Sequence, residues 1–249
     1  MRRVLLAGEQ MTVYAVQMKG VDSFTTAESK EEGDRLVHAL ADAGHSVDWV
    51  KSCDVPAGFP ESLEALGRYD VVLLSDIGAN SLLFHPKLLS TSQKRPNRLK
   101  LLEQFVAQGG GLAMIGGWMS FSGIEGKAHY HGSPLEPALP VDCAPGDDRV
   151  EIPEGVTPVV AEKDHPILRG VDTRWPYFLG YNRVSPKPGS TVVLRLDHDP
   201  LLCVWSHGKG RAAAFTSDCA PHWGPNEFLT WPGYSKFWGN LVDWLNPAS

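Results

Sequence analysis

Apolar residues follow two rhythms along this chain. In the first half, short and nearly continuous apolar runs alternate with stretches whose apolar positions recur every three to four residues. RRVLLAG (residues 2–8) is too short for a helix and apolar on both faces, as expected of a strand covered on both sides of a parallel sheet. From Thr26 to Ala43, Leu36, Val37, Leu40 and Ala41 recur at helical spacing, with Gly44 placed to cap the helix. HSVDWV (45–50) predicts a second strand, Glu61 to Leu66 a short helix, and YDVVLLSD (69–76) a third strand. Leu99, Leu101, Leu102, Phe105 and Val106 mark a helix over 97–108, stopped by three glycines, and GLAMIGG (111–117) is the fourth strand. Strand and helix alternating in this way predict right-handed crossovers and a parallel, doubly wound sheet.

The second half reads differently. Prolines from Pro134 to Pro158 predict an ordered but irregular excursion. STVVLRLD (190–197), PLLCVWSH (200–207) and RAAAFTSD (211–218) are then successive strands, joined by tight turns near Asp199 and at residues 207–211. These add antiparallel strands at one edge of the sheet. Phe237, Trp238, Leu241, Val242 and Leu245 define a helix over 234–245 that packs back on it.

Composition narrows the functional classes. With 249 residues, 43% of them hydrophobic, the chain can bury one sizeable core, so a single domain over residues 1–249 is expected. The net charge of -6 and the scattered basic residues argue against nucleic acid as a partner. No apolar stretch approaches the roughly 18 residues of a membrane span, and the apolar run near the start is too short for a signal peptide. A cytoplasmic protein is expected, without membrane contact. Cys53, Cys143, Cys203 and Cys219 form no CxxC pair and read as free thiols. No GxGxxG or GxxxxGK[ST] frame surrounds Gly116 and Gly117, and no cofactor is assigned.

In an open α/β sheet, ligands bind beyond the carboxyl ends of the strands. The residues that follow the predicted strands are Gly8, Glu9 and Gln10, then Asp76, Gly78 and Asn80, then Gly116 to Ser120, and finally Asp218, Cys219 and His222. Together they offer carboxylates, an amide, hydroxyls and an imidazole to one rim, where a small-molecule ligand would sit.

SDIGAN (75–80), GGGLAMIGGWMSFSGIEGKAHYHGSPLE (109–136), DHPIL (164–168), LGYNRV (179–184), GKGRAAAFTSD (208–218) and CAPHWGP (219–225) resemble the putative glutamine amidotransferase family. That family lies in the class I glutamine amidotransferase-like superfamily and is similar to the trehalose-utilisation (ThuA-like) proteins. The resemblance spans nearly the whole chain and implies a flavodoxin-like, three-layer sandwich. True class I amidotransferases carry a cysteine on the elbow after the corresponding strand, and a late histidine and glutamate. Here the elbow reads GGWMSFSG, without cysteine, and neither Ser120 nor Ser122 lies in a GxSxG frame. Glutamine hydrolysis through a thioester is therefore not expected.

SDCAPHWGP is the stretch with most chemistry, because Pro221 and Pro225 bar a regular helix and fix one irregular path. Asp218 is placed to orient His222 as a general base, unless it only bonds nearby backbone amides. Cys219 either adds a thiol to the site or faces inward as a small hydrophobe. Ligand contacts are expected from Asp76, Asn80, Gly117, Trp118, Ser120, Lys127, His131 and Cys219. His129 and His131 would share one side of an extended segment, but two ligands are not a metal site, and a third would have to come from Asp76, Asp218 or His222. No metal is assigned.

The leading expectation is a protein that acts on or binds a small polar metabolite, with carbohydrate suggested by the related trehalose-utilisation group. Trp118 and Trp223 fit, since sugars stack on indole faces. The alternatives are a catalytically silent ligand-binding or assembly module and a metal-dependent hydrolase. Trp175, Tyr177, Phe178, Trp223, Trp231 and Trp238 are a large aromatic stock, from which a homo-oligomer is expected.

Overall fold

The computed structural model describes residues 1–246; residues 247–249, the last three of the expected single domain, lie outside the described residues. Strand β1 (Arg3–Gly8) is followed by a hairpin of β2 (Gln10–Lys19) and β3 (Asp22–Glu31), then by helix α1 (Asp34–Asp42) and β4 (Ser46–Lys51). Short helices α2 (Val55–Gly58) and α3 (Leu63–Leu66) lead to β5 (Val71–Ser75). Helices α4 (Ala79–Leu83), α5 (Pro86–Thr91) and α6 (Arg98–Ala107) lead to β6 (Gly111–Ile115). A long excursion carries β7 (Val141–Cys143), β8 (Arg149–Val156), β9 (Val159–Val160), β10 (Phe178–Asn182) and β11 (Val184–Pro186). Strands β12 (Thr191–Leu196), β13 (Asp199–His207) and β14 (Gly210–Phe215) complete the set, and α7 (Asn226–Leu229) and α8 (Tyr234–Leu245) follow.

Eight strands form one sheet in the order β4-β1-β5-β6-β14-β13-β12-β9. The first five in that order run parallel, and β13, β12 and β9 extend one edge antiparallel. This is the mostly parallel α/β sandwich with antiparallel edge strands that the sequence pattern predicts. Alternation along each strand divides the core in two. Val4, Leu6, Val71, Leu73, Ala113, Ile115, Ala213 and Phe215 pack with α1 and α8 on one face. Leu5, Ala7, Val72, Leu74, Leu112, Met114, Ala212 and Ala214 pack with α6 and the short helices on the other. A Leu or Val buried this completely contributes roughly 1.5–3 kcal/mol, so the parallel centre is held from both sides.

Three stretches depart from the sequence reading. The helix expected over 26–43 begins only at Asp34, because residues 22–31 pair with 10–19 in a hairpin. Its two-residue turn places Gly20 at φ +64°, where a II′ turn puts glycine. The irregular excursion over 134–158 contains an eight-residue strand, β8, which pairs antiparallel with β10. The aromatic stock of the second half is not a surface feature. Trp175, Phe178, Trp223, Trp231 and Trp238 are all buried within the chain, so they give no ground for an oligomer.

Candidate functional site

The carboxyl ends of β1, β5 and β14 bring Glu9, Asp76 and Asp218 together. Gly8 makes this approach possible. It sits at φ +118°, and a Cβ there would lie 1.7 Å from the Ser75 carbonyl oxygen. The backbone N–H of Glu9 then donates to that same oxygen at 3.2 Å, and the Glu9 side chain turns inward to accept from the Ser75 hydroxyl.

Around this point lies a cavity of about 200 Å3 lined by Glu9, Met11, Glu32, Asp76, Trp118, Asp218, Pro221 and His222. A wider depression of about 510 Å3 beside Lys236 and Trp244 gathers no comparable cluster of buried carboxyl groups. The small cavity is therefore the functional candidate on chemical grounds, because buried titratable groups converging in a cleft mark such sites.

Burial is the main cause of every shift among its acids. It pushes the Glu9 pKa up to about 8, with the Asp76 charge adding to the effect. Asp76 rises to about 6, held back by the Met119 N–H that donates to Oδ1 at 2.6 Å. Asp218 is raised well above the ordinary carboxylate value by burial and by the charges of Glu9 and Asp76. Three like charges so close cannot all form in a low-dielectric setting, so protons stay on some of them at neutral pH. One pocket thus holds carboxyl groups able to donate a proton beside one able to accept it.

The elbow after β6 supports this floor. Gly117, at φ +141°, lies so close to Asp76 that a Cβ would meet Oδ1 at 2.5 Å. Asn182, fully buried, accepts from the Gly117 N–H at 3.0 Å and donates to the Gly117 carbonyl at 3.1 Å, which fixes the turn. Ser120 is buried and donates its hydroxyl to the Ile115 carbonyl; it braces the elbow and does not line the cavity.

One wall is aromatic. Trp118 meets His222 edge-on at 4.7 Å between ring centres. Glu151, on β8, accepts from the indole N–H of Trp118 at 3.1 Å and of Trp223 at 2.9 Å, and its Oε2 lies 3.6 Å from Nε2 of His222. Burial lowers the His222 pKa, although the Glu151 charge opposes it. The imidazole is therefore largely neutral near pH 7.

Asp218 does not orient His222, as the sequence suggested. Its Oδ1 accepts from the Ala220 N–H at 2.9 Å, which is the backbone alternative, and the acidic neighbour of His222 is Glu151. Cys219 faces inward: its Sγ lies 3.3 Å from the Ser75 hydroxyl and 3.6 Å from Glu9, and burial raises its pKa. Such a thiol stays protonated and is a poor nucleophile.

Of the other expected contacts, Asn80, Lys127 and His131 do not line the cavity. Asn80 is exposed on α4, and Lys127 pairs with Glu125 at 2.5 Å in solvent. The His131 ring lies at 2.9 Å from the Cys143 carbonyl. The segment around them is coiled, not extended: Gly123, Glu125, Gly126, His129 and Gly132 all take positive φ. His129 and His131 consequently join no group of potential metal ligands among the described residues. Glu9, Asp218 and Cys219 do, with ligand atoms within 4.8 Å of one another. They could hold a divalent cation only by releasing the protons that burial keeps on them.

Three lining residues fell outside the sequence reading of the site, Met11, Glu32 and Pro221, and Glu9 was placed on the rim without a role of its own. Met11 and Glu32 arrive through the unrecognised hairpin, and Glu32 donates its backbone N–H to the Glu9 carbonyl at 3.0 Å. Glu9 was placed there because it directly follows the first strand.

Residues 3–247 match the family described as "Putative glutamine amidotransferase". Two cytoplasmic proteins of Salmonella typhimurium with solved structures are each 39% identical over 98% of this chain and 99% of theirs, with TM-scores of 0.95 and 0.94. A ThuA-like protein from Parabacteroides merdae shares the fold at 13% identity, over 99% of this chain and 90% of that one, with a TM-score of 0.61. Among curated proteins no match is found. No helix among the described residues is long and apolar enough to cross a membrane.

Proposed function

From a chain that belongs to the glutamine amidotransferase-like family, yet carries Gly117 and Trp118 where the elbow cysteine is expected, we propose a cytoplasmic protein that binds a small polar metabolite and transfers protons to or from it without glutaminase activity. The observation that supports this is the convergence of Glu9, Asp76 and Asp218, from the ends of three strands, on one small cavity. A proton-bearing Glu9 donates a hydrogen bond and an ionised Asp76 accepts one, the pairing that hydroxyl groups require. With Trp118 and His222 adding an aromatic wall to the same cavity, the ligand class favoured is a carbohydrate or similar polyol.

Acid–base chemistry fits these groups better than acyl transfer does. The cysteine nearest the cavity is buried and protonated, and it comes from the β14 loop, away from the elbow. Titration calorimetry with a panel of monosaccharides, polyols, organic amines and glutamine tests the reading. Binding of a polyhydroxyl compound that is lost in Asp76→Asn is the expected result. Ammonia release from glutamine that disappears on replacing Cys219, or affinity confined to amines, would overturn it.

A further inference from the structure

The hairpin of β2 and β3 leaves the rim of the sheet immediately after Glu9 and returns at Glu32. Every residue of both strands except Gln10 is exposed, including Tyr14, Val16, Met18 and Phe24. Its base is anchored: the Gln10 N–H donates to the Ser52 hydroxyl, the side-chain Oε1 of Gln10 accepts from the Cys53 N–H, and Lys51 pairs with Glu31. Beyond the base, the side-chain support is a hydrogen bond from Gln17 to Thr26. A two-stranded ribbon standing alone in water is marginally stable at best.

The two faces of this ribbon differ. Register pairs Met11 with Lys30, Val13 with Glu28, Ala15 with Thr26, Gln17 with Phe24 and Lys19 with Asp22 on one face, so three of its five rungs carry a charge. The other pairs Thr12 with Ser29, Tyr14 with Ala27, Val16 with Thr25 and Met18 with Ser23, four rungs without a charge, and at the anchored base Gln10 with Glu31, whose carboxylate is paired with Lys51. A two-sided solvated ribbon has no reason to sort its charges this way, whereas a ribbon with one face against another protein surface does.

We propose that this uncharged face packs against a second copy of the same chain, so that two molecules exchange ribbons in a homodimer. The area suffices. Ten residues at ~3.4 Å each, on a ribbon ~10 Å wide, present ~340 Å2 per face. Two ribbons, each covering an equal area of the other molecule, would bury ~1,400 Å2, within the range of stable specific interfaces. The ribbon base supplies Met11 and Glu32 to the cavity, so the contact would also steady one cavity wall.

The test is light scattering on the intact chain from ~1 to ~100 µM, with Val16→Glu/Met18→Glu as the variant. The wild type should be a dimer and the variant a monomer with an unchanged circular dichroism spectrum. A wild type that stays monomeric at ~100 µM would overturn the proposal, as would a dimer that survives the double substitution. A monomer that co-sediments with anionic phospholipid vesicles would assign the face to a membrane surface instead. Should the variant fail to fold, hydrogen exchange on the wild type decides. Amides of residues 10–31 should exchange more slowly as concentration rises, and exchange independent of concentration would refute the contact.

Discussion

Strand β1 and strands β2 and β3 are consecutive in sequence and opposite in what holds them. All but the first residue of β1 is buried, with side chains sent alternately into two cores, whereas the twenty residues of the ribbon bury none. The body strand exists because each side chain removes apolar surface from water. The ribbon strands exist because backbone groups pair across a tight turn, which adds little net stability by itself. The boundary falls at Glu9, whose carboxyl group belongs to the cavity.

The largest contrast should come from truncating one side chain on each side of that boundary. Leu73→Ala, in the parallel centre, should cost about 2–5 kcal/mol. Val16→Ala, measured at a concentration low enough to hold the protein monomeric, should change stability by less than about 0.5 kcal/mol. Urea denaturation of both variants checks this, and comparable losses would mean that the body covers the ribbon after all.

A second effect should appear at the boundary itself. The native state holds a proton on Glu9, with its pKa pushed from 4.5 to about 8, while the unfolded chain releases it near 4.5. The associated stability is complete below pH 4.5 and is lost as pH rises through about 8. Melting temperature should therefore fall across that window, by an amount corresponding to a few kcal/mol, and Glu9→Gln should flatten the slope. An unchanged slope in the variant would place the proton on Asp218 instead.

Smaller differences should separate the cavity walls. His222→Ala, on the body side, should weaken ligand binding by about tenfold, equivalent to ~1.4 kcal/mol. Met11→Ala, on the ribbon side, should cost less, and Cys219→Ala should leave affinity nearly unchanged because its thiol lies behind Glu9. Calorimetric titration of the three variants ranks them, and a larger loss in Met11→Ala would make the ribbon the dominant wall.

The elements buried on one or both faces were legible in the sequence. The pattern of Phe237, Trp238, Leu241, Val242 and Leu245 matches α8, and the apolar runs locate β1, β5 and β6 within two residues. The ribbon was not legible, because apolar residues fall on both of its faces, with Val13, Tyr14, Ala15 and Val16 consecutive, and the chain's own core covers neither, so apolar and polar positions do not alternate. Its missing signal also stretched the expected α1 back to Thr26. At the site, Asp76, Trp118, Asp218 and His222 were found because each follows a strand, the rule that selected them. Glu151 escaped because β8 lies among prolines, and Lys127 and His131 misled because left-handed turns redirect a segment that reads as extended.

The protons kept on the cavity carboxyl groups also affect how the molecule behaves as an ion. The formal charge of -6 counts every acidic residue as ionised, so the folded protein at neutral pH is less negative than its sequence states. Unfolding at pH 7 releases those protons to the solvent, so the heat of denaturation carries the ionisation enthalpy of the buffer, and two buffers at one pH will report different enthalpies for one transition.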